Sequence, residues 1–204
     1  MKIKWLGHSC FRIDADGQAL VIDPFSPGSV SGLRDIDETA NVVLCSHMHG
    51  DHNSVASVHL VESDRDVFNI DTIQSYHDDK QGKQRGENII HIIEAEGYKV
   101  VHMGDQGCML PQEDIEKLYD CDVLLIPIGG FFTIDATQAA ELVKQIKPRV
   151  TIPMHYHSDT FGYDVLGRVE DFTKYFENVL WLTDDTLSLS DELQDEIVVL
   201  DYQN

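Results

Sequence analysis

A chain of 204 residues that sets 36 acidic side chains against 15 basic ones carries a formal charge of −21. Such a surface repels phosphate backbones and anionic lipid, which argues against nucleic acid and the membrane surface as partners. Apolar residues make up 42% of the chain, and at this length roughly 70% of the unfolded surface can be buried, enough for one core without staples.

The chain opens in strands. Residues 2–5, 10–15 and 19–22 alternate in part and are separated by turn residues such as Asp16-Gly17. Asp23-Pro24 ends the third strand, and a polar loop runs to about Glu38. Residues 42–45 are β-branched and apolar and read as a buried strand, with a short helix expected over 54–60. Strands are expected at 67–70, 73–76, 88–94 and 98–103, with Glu96-Gly97 as a hairpin turn. Pro111 and the acids after it start a helix over 111–119. Residues 123–128 form another buried strand. Asp135 caps a helix from Ala136 to Ile146 that Pro148 ends. A strand over 150–154, a helix over 169–176 and strands over 179–182 and 197–200 complete the pattern. No linker or repeat divides it, so residues 1–204 are expected to form one domain, two packed sheets with helices outside.

Cys10, Cys45, Cys108 and Cys121 are widely spaced and make no CxxC pair. Met1 leads straight into the first strand without a secretion signal, and no apolar run approaches the ~20 residues of a membrane span. A cytoplasmic protein with reduced thiols is expected.

The chemistry concentrates in His47-Met-His-Gly-Asp-His52, directly after the strand at 42–45. In extended chain, residues two apart point to one side, so His47 and His49 can reach one metal together. Gly50 allows a turn, which aims Asp51 and His52 elsewhere, toward a second metal. Imidazole and carboxylate suit zinc, manganese or iron.

An HxHxDH run after a buried strand resembles the metallo-β-lactamase superfamily. Gly7-His-Ser-Cys-Phe11, Ile22-Asp-Pro24, His102-Met-Gly-Asp105, Leu125-Ile-Pro-Ile-Gly-Gly130 and Ile152-Pro-Met-His155 follow in the expected order. Together they resemble the branch of L-ascorbate-6-phosphate lactonase-like proteins, the Zn-dependent hydrolases of the β-lactamase fold. That resemblance implies an α/β (α+β) fold, a four-layer αββα sandwich with the site at one edge of two sheets. It implies that His47, His49 and His77 hold a first metal, that Asp51, His52 and His155 hold a second, and that Asp105 bridges them. Asp51, Asp105 and His155 are the expected catalytic residues. Asp23 resembles the family's early aspartate, which orients a ligating histidine. His8 and His157 are candidates for supporting a ligand or touching substrate, His102 is expected to pack between strands, and His59 and His91 look like surface or helix positions.

The implied activity is hydrolysis by two divalent ions, zinc first and manganese or iron as alternatives, through a metal-bridging hydroxide. The substrate would be small, with an anionic one among the options: a lactone, ester, amide, thioester or phosphodiester. The alternative is a non-catalytic member that binds metal or a metabolite. A homo-oligomer is compatible with either. Lys80, Lys83 and Arg85 cluster in the polar loop after His77, where Gly82 and Gly86 would make a pliable lid. Lys83 and Arg85 are candidates to receive an anionic group. The plainer expectation pairs these bases with Asp78 and Asp79.

Overall fold

The computed structural model describes residues 1–203. Its strands are β1 (Lys2–Gly7), β2 (Cys10–Ala15), β3 (Gln18–Ile22), β4 (Glu38–Ala40), β5 (Val42–Leu44), β6 (Val58–Leu60), β7 (Asn69–Tyr76), β8 (Glu87–Ala95), β9 (Tyr98–His102), β10 (Val123–Pro127), β11 (Val150–Met154), β12 (Val179–Trp181), β13 (Thr186–Ser188) and β14 (Glu196–Val199). The helices are α1 (Gln112–Leu118), α2 (Ala136–Ile146) and α3 (Val169–Thr173).

Two sheets form the centre, one ordered β13-β1-β2-β3-β5 and the other β12-β14-β11-β10-β9-β8-β7. Alternation along β1, β2 and β3 sends Ile3, Trp5, Phe11, Ile13, Leu20 and Ile22 to one face. There they join one apolar cluster with Ile90, Val101, Met103 and Leu125 of the larger sheet. The opposite face carries Cys10, Ala19 and Val21, which pack with Phe25, Val30, Ala40 and Val58. Helices α1 to α3 bury Leu118, Leu142, Ile146 and Phe172 in the main cluster. The expected α/β architecture of face-to-face sheets is therefore present. The layer over the smaller sheet contains no α-helix among the described residues; loop residues and the β4–β6 ribbon supply it.

Local chemistry explains the well-anticipated elements. Asp135 Oδ1 accepts from the Gln138 N–H at 2.9 Å and Gln138 Oε1 accepts from the Asp135 N–H at 3.1 Å, a reciprocal cap on α2. Lys147 closes that helix in the left-handed conformation. Three expectations change. Residues 54–60 are a short 3₁₀ turn followed by β6, because pairing with β4 outweighs local helix preference. The two strands expected at 67–70 and 73–76 are one, β7, held by an unbroken register with β8. The last helix ends at Thr173 rather than Phe176. Short β4 and β13 were not expected at all.

Strand direction decides which loops meet. β1 and β3 each run antiparallel to β2, and β5 runs parallel to β3. β7 and β9 each run antiparallel to β8, and β10 and β11 run parallel to β9. The C-terminal ends of β1, β3 and β5 therefore share one edge of the smaller sheet, and those of β7, β9, β10 and β11 share one edge of the larger.

Candidate metal centre

Those strand ends collect the polar side chains. His8 follows β1, Asp23 follows β3, Ser46 to His52 follow β5, His77 follows β7, Asp105 lies just past β9 and His155 follows β11. His8, Asp23 and His155 take positive φ values of 52°, 51° and 54°. The left-handed turn redirects each side chain as its strand ends, and such strain in non-glycine residues concentrates at functional sites. Gly104 is required by close approach. A Cβ there would stand 2.3 Å from Asn88 Oδ1 and 2.5 Å from Ser46 Cβ. Gly50, expected to supply a special turn, lies outside the left-handed region, and a Cβ there would meet only Ser26 Oγ, at 3.9 Å.

Buried acceptors fix three imidazole tautomers. Asp23, fully buried, accepts from Ser46 N–H and from Ser46 Oγ–H, both at 2.6 Å. The Ser46 hydroxyl has then spent its proton, so its oxygen accepts from His47 Nδ1–H at 2.9 Å. Asp23 Oδ2 also accepts from His52 Nδ1–H at 2.9 Å. The Phe132 carbonyl accepts from His77 Nδ1–H at 3.1 Å. In all three rings Nε2 is left facing the centre.

Asp105 Oδ2 is the shared neighbour. It lies 3.1 Å from His77 Nε2, 3.2 Å from His155 Nε2, 3.3 Å from His52 Nε2 and 3.9 Å from His47 Nε2. The Asn88 side chain accepts from the Asp105 N–H at 2.9 Å and so holds its backbone. Asp51 Oδ2 sits 3.5 Å from His8 Nε2 and 3.9 Å from His52 Nε2. The Tyr163 hydroxyl is 3.2 Å from the same oxygen.

Burial and charge pull these groups apart. Burial and the neighbouring His155 push His8 down to about 4. Burial and His52 push His47 down to about 3. Burial also works against a proton on His52, but Asp105 and Asp23 outweigh it and hold this imidazole well above its ordinary value. Burial would raise the carboxyls of Asp105 and Asp51, yet the surrounding histidines keep both below the usual range. The centre is thus built to keep carboxylates charged and the imidazoles of His8 and His47 neutral.

Ionised carboxylates and neutral His8 and His47 are the states that a divalent cation needs, while His52 would give up its proton to a bound ion. His47, His49 and His77 each offer a ligand atom within 4.8 Å of the others, and so do His8, His52 and His155. Several buried polar atoms have no hydrogen-bond partner: His47 Nε2, His52 Nε2, Asp105 Oδ1, His155 Nδ1 and both nitrogens of His8. Buried polar atoms are rarely left unpaired, so this concentration at one place fits a bound cation. Nitrogen and carboxylate donors suit zinc, with manganese or iron also accommodated.

The structure brings His47, His49, Asp51, His52, His77, Asp105, His155, His8 and Asp23 into this one region. It leaves others outside. His157 is partly buried and its N–H bonds to the Gly167 carbonyl at 3.1 Å. His102 is buried and packs between strands as expected, its Nε2 bonding the Ser9 carbonyl at 2.8 Å. His91 is not at the surface: it is buried in β8, with Nε2 3.1 Å from the Cys45 carbonyl. His59 is exposed in β6.

The loop after His77 also differs from expectation. The Asp78 carboxylate does not pair with the bases. It accepts from four backbone N–H groups, of Lys80, Gly82, Gln84 and Arg85, at 2.7–3.0 Å. Gly86 N–H bonds Gly82 O, and His77 N–H bonds Gly86 O. Gly82 and Gly86 use their left-handed conformations to close this cage, not to make a pliable lid. Asp79 pairs with Lys80 at 2.9 Å, and Lys83 is exposed. The Arg85 guanidinium lies over the Phe132 ring, 5.6 Å from its centroid.

Sequence reasoning missed Ser46, Asn88, Phe132 and Tyr163. Ser46 adjoins the histidine run and could have been found there. The other three are remote in sequence and carry no local signal.

Comparison with known proteins accords with this geometry. The beta-lactamase superfamily domain matches residues 2–155. A UPF0173 metal-dependent hydrolase of Desulforamulus reducens is 31% identical over 194 residues, covering 78% of this chain and 85% of that protein. One of Methanopyrus kandleri is 29% identical over 193 residues, covering 76% and 84%. A crystal structure from Thermotoga maritima, assigned as a Zn-dependent hydrolase of the metallo-beta-lactamase superfamily, superposes with a TM-score of 0.77 at 30% identity, covering 98% of this chain and 97% of that one. An isothiocyanate hydrolase from Delia radicum gut bacteria shares the fold alone, with a TM-score of 0.67 at 11% identity over 100% and 98% of the two chains. With its histidine and aspartate clusters at the strand ends and these relatives, the chain belongs to the beta-lactamase superfamily and is one of its metal-dependent hydrolases.

Proposed function

We propose that this enzyme is a dinuclear hydrolase of a small anionic lactone, ester or phosphodiester, akin to the L-ascorbate-6-phosphate lactonase-like branch and acting in the cytoplasm. The observation that carries the dinuclear reading is the position of Asp105 Oδ2, within 3.1–3.3 Å of both His77 of one histidine group and His52 and His155 of the other. His47, His49 and His77 would hold one ion, Asp51, His52 and His155 the second, and Asp105 both. When bound, a pair of divalent ions, zinc in the first place, acidifies water and polarises the oxygen of the bond to be cleaved.

The chain's own groups set up that reaction. Asp23, Ser46 and Phe132 lock the imidazole rings so that each lone pair points inward. Asp105 stays ionised and places one negative charge between the two groups. Asp51 is only partly buried, so it is the carboxylate of the cluster that faces solvent. A cavity of about 340 Å³ beside His47 and His49 is lined by Ser46, Met48, Arg85 and Ile89. Arg85 is the base placed to receive an anion there; Lys83 does not line the cavity. The Arg85 backbone is tied to Asp78 and its guanidinium lies against Phe132, so little order remains to be imposed when substrate binds.

Two results test this reading. Metal analysis after gentle purification is expected to find close to two ions per chain; a content near zero that added zinc and manganese cannot raise would refute it. Arg85→Ala is expected to raise KM for an anionic substrate by ~10-fold or more, the range for loss of a charged hydrogen bond, and to leave a neutral analogue nearly unchanged. Lys83→Ala should change neither. Equal effects of Arg85→Ala on both substrates would remove the anion-binding role.

A further inference from the structure

Among the buried histidines of the cluster, His8 is the one with neither ring nitrogen in a hydrogen bond; Asp51 Oδ2 stands 3.5 Å from its Nε2. Its Nδ1 and Nε2 are both buried and both lack a hydrogen-bond partner. A neutral imidazole must carry an N–H on one of them, and buried polar groups are rarely left without a partner. The backbone is nevertheless fixed firmly. Its carbonyl accepts from Trp5 Nε1–H at 3.0 Å and from His155 N–H at 3.2 Å. Its φ of 52° lies in the left-handed region, uncommon for a residue with a Cβ. The backbone is thus held in place while the ring makes no hydrogen bond.

The ring's surroundings show what it is held for. Its centroid lies 4.1 Å from that of His155 and 5.2 Å from that of His52. One ligand atom from each of the three residues lies within 4.8 Å of the other two. Three imidazoles converging with unpaired nitrogens have no mutual attraction to offer; a cation between them satisfies all three. We infer that His8 is a direct ligand of the second ion, completing a three-imidazole face with His52 and His155. Asp51, 3.5 Å from His8 and near the Tyr163 hydroxyl, then stands at the margin of that face. A site so rich in nitrogen favours zinc over manganese or magnesium.

This inference rests on the dinuclear reading above, and its test separates the two. Metal-free wild-type protein and His8→Asn are titrated with zinc against a chromophoric chelator. Asn tolerates the left-handed backbone, and circular dichroism and thermal unfolding of the metal-free proteins check the fold. The wild type is expected to take up two tight equivalents. His8→Asn is expected to keep one and to bind the second at least ~100-fold more weakly, beyond the ~10–100-fold typical of a residue that only supports a ligand. His8→Cys supplies an independent readout: with cobalt(II) it should gain a thiolate-to-cobalt charge-transfer band that the wild type lacks, since a thiolate there becomes a ligand. Two undiminished sites in His8→Asn, or no new band in His8→Cys, would overturn the role of His8 and leave the dinuclear centre standing. A wild type that binds fewer than two ions would overturn both.

Discussion

Asp105→Asn is expected to lower turnover at least ~100-fold, in the range seen when a preorganised charge is removed from a reaction centre, while the protein still folds. The substitution keeps the shape of the side chain. It also keeps the backbone N–H that bonds Asn88. What it removes is the single charge near both histidine groups. If the amide places its NH₂ where Oδ2 stood, a donor faces His77, His52 and His155, each now 3.1–3.3 Å from an acceptor. If it places its oxygen there, the charge is still gone. Either way the affinity for at least one ion falls with the rate. The checks are steady-state rate on a responsive substrate, metal content, and the unfolding temperature of the metal-free protein. A wild-type rate at full metal loading would take Asp105 out of the mechanism.

The second large effect is expected at Asp23. This residue is fully buried, and its carboxylate governs two of the imidazoles, His52 directly and His47 through the Ser46 hydroxyl. Both of its oxygens act only as acceptors. Asn has one acceptor and one donor, so whichever way the amide turns, an N–H confronts the Ser46 backbone N–H or the donors at Oδ2. Asp23→Asn is therefore expected to lower metal affinity and activity ~10–100-fold and to lower stability as well, because the clash is fully buried. Affinity and rate should fall together. Unchanged affinity with unchanged rate would show that the rings hold their orientation without Asp23.

The histidine run was legible because its spacing is chemical: alternate residues of an extended chain share a side, and a β-branched run announces the strand. α2 was legible down to its bounds because Asp135 and Gln138 cap it locally. β4, β6 and β13 were not, since each is three residues long and defined by a partner far away in the chain. Tyr163 and Phe132 reach the centre only through tertiary packing. His91 was misread because a single histidine in an apolar strand looks the same whether its nitrogen meets water or, as here, the Cys45 carbonyl. The Asp78 cage was invisible because acids beside bases invite an ion-pair reading, whereas the carboxylate spends itself on backbone N–H groups.

The delivery of the cluster by strand ends spread from residue 8 to residue 155 has a consequence for the order in which the enzyme is made. Chains leave the ribosome N-terminus first, at about 5–20 residues per second, so His155 follows His77 by about 4–16 s. Throughout that interval the nascent chain displays most of its imidazoles without the strand that locks them together. The clasp between the first and the last of these strand ends closes when the His155 N–H meets the His8 carbonyl. Any discrimination between one ion and another is therefore exercised by the finished protein, and a cation captured earlier must still be tested against the geometry that arrives last.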